Sequence, residues 1–332
     1  MGNGEYVPGS YWFYAPNKGA AIFFLIAYAA STVIHLWQCY RYKYFKVTGL
    51  FVFCGLLFVA GFSLRVYASF GNYDNLDTFI ASICLVYASP PLLELANYHI
   101  LGRVLYYVPY LSPIHPGRVL STFGLLSMII ECLNGWGASY SANMGLSGSS
   151  IATGHALMRA SLALQLVVIT CFLVLAGLFH RRCAKAGLGR AQGILQPMAT
   201  LYASVGLILV RTVYRAVEHF GLEGINWTGL DPSAISPVIR YEWFFYVFEA
   251  TLMLVNVWMW NVRHPRRYLP SDLKVYLARD GVTEVTGPGW QDPRPFLITV
   301  VDPLDIVGLF RGSDKTRAKF WENDGSGNVE LA

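Results

Sequence analysis

The sequence predicts an all-α polytopic membrane protein, a bundle of seven transmembrane helices with the N-terminus outside and the C-terminus in the cytosol. Three observations carry that expectation. Of the 332 residues 55% are apolar and only 14% are charged, with a mean hydropathy of +0.42, whereas a soluble domain is about a quarter charged. Seven apolar stretches each approach the ~20 residues a helix needs to cross hydrocarbon. Basic residues then alternate from one connecting segment to the next, as the positive-inside rule requires.

The first span, near residues 19–40, follows an N-terminus that lacks the basic start and short apolar core of a cleavable signal, so it serves as its own insertion signal. Trp12, Phe13 and Tyr14 precede it as interfacial anchors or core, and His35 lies within it, read as a core histidine, a proton relay or a haem ligand. Arg41, Lys43 and Lys46 separate it from the second span, 47–68, which carries Arg65. A base-free loop leads to the third span, 78–101, where Pro90-Pro91 removes backbone hydrogen bonds and bends the helix as a fixed kink or a hinge. Glu94, Asn97 and His99 follow on the same span.

Arg103 and Arg118 flank the next connection. The fourth span, 118–140, contains Glu131 and Asn134, and after a base-free loop the fifth, 156–180, contains Arg159 and Gln165. Arg181, Arg182, Lys185 and Arg190 mark the following segment as cytosolic. The sixth span, 197–219, bears Arg211, Arg215 and Glu218 at i, i+4 and i+7, one helical face. Its outer loop holds Asn226-Trp227-Thr228, an N-glycosylation acceptor pattern on the side the charge rule places outside. The seventh span, 240–262, bears Glu242, Glu249 and Asn256 at seven-residue intervals, one helical face within an aromatic run, expected to meet the face of Arg211 and Arg215 on the sixth span, with Arg263, Arg266 and Arg267 after it. The domain plan is an extracellular tail at 1–18, the transmembrane domain at 19–262, and a cytosolic tail at 263–332, partly disordered because it loses its apolar runs.

Charge in the spans is the main functional signal. An unpaired ionisable group at the bilayer centre costs at least about 2.5–3.5 kcal/mol, so such residues face one another or a wet cavity. At ~1.5 Å rise per residue, the orientation puts Arg65, Glu131, Asn134, Arg159, Arg211, Arg215, Glu218 and Glu242 in the outer half, with Glu249 near the middle. With Gln165 they form the candidate substrate-binding set, a charge-balanced cavity in which Arg215 is expected to pair with Glu242 or Glu249. The alternative is static interhelical pairing, with Arg65, Arg159 and Glu242 reaching the interface.

Other classes lose support. The net charge of +5 falls in short clusters, which gives no nucleic-acid stripe. The six cysteines lie in or beside apolar runs without a metal-ligand spacing, so neither a disulfide framework nor zinc is expected. No Walker, HExxH or GxSxG motif occurs, so neither an ATPase nor an enzyme is predicted, and no cofactor.

Arg211-Thr-Val-Tyr214-Arg215-Ala-Val-Glu218, the run from Glu242 to Glu249 and the closing His264-Pro265 together resemble the fungal lipid-translocating exporters of the aminocholesterol-resistance (RTA-like) type. Gly61-Phe-Ser-Leu-Arg65, Pro90 through Tyr98, Leu101-Gly102-Arg103 and Gln165 extend the resemblance over about residues 6–265. It departs at Phe58, where the family usually has an acid shortly before the span-two glycine, and at Ser127 and Asn134 in place of Asp and Gln, with Glu131 one turn on from Ser127. The resemblance implies a plasma-membrane or endomembrane protein that moves an amphipathic lipid-like ligand: a sphingoid base, phospholipid, sterol analogue or porphyrin. Its partners are then that ligand and membrane lipids, without nucleic acid. A seven-helix receptor or lipid sensor shares the topology and is the alternative function, since fold alone does not assign activity.

Overall fold

The computed structural model describes residues 7–114, 116–142, 147–223, 236–272, 274–287 and 298. Among them run α1 (Lys18–Tyr42), α2 (Phe45–Ser69), α3 (Leu76–Tyr107), α4 (Pro116–Ala142), α5 (Gly148–Lys185) and α6 (Gln192–Glu223). A single turn, α7 (Pro237–Arg240), precedes a last span built from α8 (Glu242–Phe245), a π-helical segment (Tyr246–Thr251) and α9 (Leu252–Val262). Seven of these described helical stretches are long and apolar enough to cross a membrane, which makes the chain an integral multi-pass membrane protein. Several outrun the apolar stretches that predict them. α5 has 38 residues, because backbone hydrogen bonding does not stop where hydrophobicity does.

The chain forms two compact units: residues 1–94, 130–166 and 203–262, and residues 95–129, 167–202 and 263–332. In the first, helices approach through small residues, the means by which membrane helices pack when no hydrophobic effect drives them together. A Cβ on Gly61 of α2 would stand 2.7 Å from Val86 Cγ2 of α3, and the Ser82 hydroxyl donates to the Gly61 carbonyl at 2.9 Å. Gly137 of α4 lies equally close to the Gly154 carbonyl of α5, 2.8 Å from where a Cβ would sit. At the start of α1 the Asn17 side chain caps the helix by accepting from the Ala20 amide at 3.0 Å.

An aromatic stack fills the interior of this unit. Tyr28 lies on Phe58 with centroids 4.3 Å apart, and Phe24 stacks on Tyr246 at 5.2 Å. Phe58, where the resembled family usually has a nearby acid, is completely buried here. The residues before α1 join the core: Trp12, Phe13 and Tyr14 are buried together with Ala68 and pack against Tyr73, Phe79 and Ile239.

The second unit contains structure the sequence does not announce. Beyond the last span, residues 265–267 form a 3₁₀ turn, and β1 (Val275–Leu277) pairs antiparallel with β2 (Glu284–Thr286). The buried Arg103, near the end of α3, donates to the carbonyls of Asp272 at 2.9 Å and Val275 at 3.2 Å. The hydroxyls of Tyr106 and Tyr110 donate to the carbonyls of Lys274 and Ala278 at 3.1 and 2.8 Å. Tyr110 itself is pushed up to about 12, chiefly by burial. Residues 274–287 therefore form a hairpin held by the end of α3 and the residues just after it.

Candidate functional site

The first unit holds ion pairs on α2, α6 and the last span. Gly61 and Arg65 lie one turn apart on α2, so the packing that seats the glycine also carries Arg65 inward. Arg65 is 2% exposed and donates to Glu242 Oε1 at 2.9 Å. It also donates to the hydroxyls of Tyr14 and Tyr246, each at 3.2 Å, and its guanidinium lies 4.2 Å from the Phe245 ring centroid. The Asn17 amide, at the start of α1, donates to both Glu242 oxygens at 3.1 and 3.0 Å. Arg65 and Glu242, allowed by the sequence to reach the interface, are instead fully enclosed.

The second pair is deeper in character. Arg211 Nε on α6 donates to both oxygens of Glu249 at 2.9 Å, and the two side chains are 7% and 0% exposed. Glu249 sits inside the π-helical segment. There the Thr251 hydroxyl donates to the Tyr246 carbonyl at 2.8 Å, and the Tyr28 hydroxyl to the Ala250 carbonyl at 2.8 Å. Side chains thus bind carbonyls within the segment where the helical ladder is altered; π-turns are rare and concentrate at functional sites.

The π-segment corrects one expectation. Glu242 and Glu249 were to share a face and meet α6 together, but looser winding means that seven residues do not return to the same direction. Glu242 turns to α2 and Glu249 to α6. Arg215 pairs with neither of them. It bonds Glu218 three residues along its own helix and lies over the Tyr87 ring of α3 at 3.7 Å. Tyr214 stacks on Phe248 at 5.5 Å.

Around Arg211 and Glu249 the charges form one field. Glu249 feels Arg211, Arg215 and Glu218, and Glu131, half-buried on α4, lies within electrostatic reach of Arg211. Two guanidiniums and three carboxylates gather there, with Tyr87 among them. Gln165 belongs elsewhere: its amide donates to Glu94 at 2.7 Å. Asn134 is half-buried on α4 and Arg159 is exposed on α5. Asn226 lies outside the described residues. Tyr14, Tyr87, Tyr246 and Asn17 were missed because a tyrosine in an apolar run looks like core and a backbone amide leaves no sequence signal. Ser127 accepts or donates at 3.3 Å with the Tyr98 hydroxyl, within the second unit.

Residues 51–272, which contain both long-range pairs, match the RTA1-like protein family. The chain belongs to that family. It is 46% identical to a lipid-translocating exporter-like protein RTA1 of Leptosphaeria maculans over 93% of this chain and 61% of the relative, so it spans about three fifths of that protein's length. A protein of the same description from Ajellomyces capsulatus is 31% identical over 78% of this chain and 81% of its own. Protoporphyrin uptake protein 1 of Saccharomyces cerevisiae is 24% identical over 75% of this chain and 90% of its own. No solved structure matches the chain.

Proposed function

We propose that this protein is an ATP-independent translocator of amphipathic lipid-like molecules, a sphingoid base, phospholipid, sterol analogue or porphyrin, with a role in resistance to toxic lipophiles. The observation that carries the reading is the Arg211–Glu249 pair, enclosed in a membrane-spanning unit and ringed by Arg215, Glu218, Tyr87 and Glu131. Stability does not require it, since apolar side chains of similar volume replace buried ion pairs at little cost or with a gain. Ionisable groups persist inside membranes where they handle a substrate or ion.

In this reading Glu131, Arg211, Arg215, Glu218 and Glu249 engage a zwitterionic or charged headgroup, and the tail lies among apolar side chains. Arg65 and Glu242 close the same route beside Tyr14, with Asn134, Arg159 and Gln165 as polar residues along it. The relatives' names, a lipid-translocating exporter-like protein and a protoporphyrin uptake protein, support this substrate range. The alternation of bases supports an N-terminus outside and a C-terminus in the cytosol; in this reading the protein resides in the plasma membrane and Asn226 carries a glycan. Energy comes from gradients or mass action, and no catalysis is involved.

The test is reconstitution. Purified protein in liposomes should speed the movement of a fluorescent long-chain base, phospholipid or porphyrin between leaflets, and Glu249→Gln should abolish that movement. Binding without movement would favour the receptor reading instead.

A further inference from the structure

Away from the charged cluster, α1 and α9 run parallel and are stitched by side chains whose donors are all committed. His35 Nε2 meets the Val257 carbonyl at 3.1 Å. A carbonyl only accepts, so Nε2 carries the hydrogen and Nδ1 of the neutral ring is a bare lone pair. Gln38 Nε2 donates to the Asn261 carbonyl at 2.8 Å, which fixes its amide and leaves Oε1 as an acceptor. Asn261 Nδ2 donates to the Ser31 hydroxyl at 2.6 Å, leaving Oδ1 likewise.

Among the described residues His35 Nδ1, Gln38 Oε1 and Asn261 Oδ1 are buried without a hydrogen-bond partner, on residues 1%, 3% and 3% exposed. A buried acceptor left bare costs about 1–3 kcal/mol, and here three occur within two turns of α1 and one of α9, all of the same sign. The helix ends add to it. α1 stops at Tyr42 and α9 at Val262, so Gln38 and Asn261 lie in C-terminal turns, where the aligned peptide dipoles place partial negative charge. His35 stacks on Phe51 of α2 at 5.1 Å. Neither Phe51 nor the Val257 carbonyl titrates, and Cys39, one turn along α1, shares a hydrogen bond with Thr48 of α2.

We propose that His35, Gln38 and Asn261 form a binding site for a small monovalent cation between α1 and α9. Lone pairs and negative helix ends converge on one chemistry, a positive guest. That guest is an alkali ion held by the amide oxygens and His35 Nδ1. The site is separate from the charged cluster, and it supplies an ion whose gradient could drive movement without ATP. Its test does not depend on the transport reading.

The experiment is thermal unfolding of the full chain in detergent micelles, followed by tryptophan fluorescence at constant ionic strength. A guest that binds only the folded form raises Tm by several degrees at tens of Kd. Replacing N-methylglucamine chloride with NaCl or KCl should raise Tm. Gln38→Leu with Asn261→Leu should then flatten the response, whatever its own starting Tm. Gln38→Glu adds an anionic ligand in the same volume and should bind the ion several-fold more tightly, a gain that misfolding cannot mimic. A wild-type Tm indifferent to alkali ions overturns the proposal, as does a response that survives unchanged in the double Leu variant.

Discussion

Removing one member of the Arg211–Glu249 pair is the sharpest perturbation the structure offers. Arg211 Nε contacts both carboxylate oxygens at 2.9 Å with the side chains 7% and 0% exposed, so neither charge can be solvated by water if its partner is lost. Breaking such a pair costs about 3–5 kcal/mol. The lower end applies here, because Arg215 lies within reach of Glu249 and Glu131 within reach of Arg211. Glu249→Met and Arg211→Met should therefore each cost about 3 kcal/mol. The double variant should lose less than ~1 kcal/mol or gain, because two apolar chains of similar volume leave no buried charge. The coupling, several kcal/mol, far exceeds the ~0.5 kcal/mol within which independent sites add. Chaotrope unfolding in micelles gives the stabilities and liposome translocation gives the activity. A double variant that folds but moves no lipid assigns the charges to substrate. Additive single losses would refute the coupling, and two harmless singles would mean the residues face water or headgroups and no enclosed site exists.

Arg103→Ala removes the donor to Asp272 and Val275 and should make residues 272–287 cleavable by added protease at rates well above wild type, while the membrane spans stay intact. Gly61→Ala places a Cβ 2.7 Å from Val86 Cγ2; overpacking of this kind costs about 1–3 kcal/mol, read as a lowered Tm. The hairpin turn should respond to acid. The Asp280 carboxyl is held below the usual carboxylate range by the Thr283 hydroxyl and by the Val282 and Thr283 amides. Its contribution is present above the ordinary carboxylate value and fades as pH falls through the depressed one, so amide exchange at Val282 and Thr283, corrected for intrinsic rate, should lose protection only in strong acid. For topology, a cysteine at position 226 should react with an impermeant reagent on intact cells and one at 185 should not; the reverse pattern inverts the orientation.

The sequence by itself determined the solvent and the number of crossings. Those follow from composition and length, since a lipid interior tolerates only segments that satisfy their own backbone. It also determined which residues are exceptional, because a charge in an apolar run is costly wherever the helices go. Arg65, Arg211, Glu242 and Glu249 were legible for that reason, as were the family motifs around them. Partnership was decided by tertiary structure. The π-segment turns Glu249 to α6 and Glu242 to α2, and a change of winding within one helix leaves no periodic trace. The Gln165–Glu94 bond joins residues 71 apart in the chain, and the docking of residues 272–287 on Arg103 uses main-chain carbonyls, which every sequence possesses equally. Side-chain chemistry is local and can be read along the chain; hydrogen bonds to backbone and contacts between helices depend on how the chain returns, and only folding supplies that.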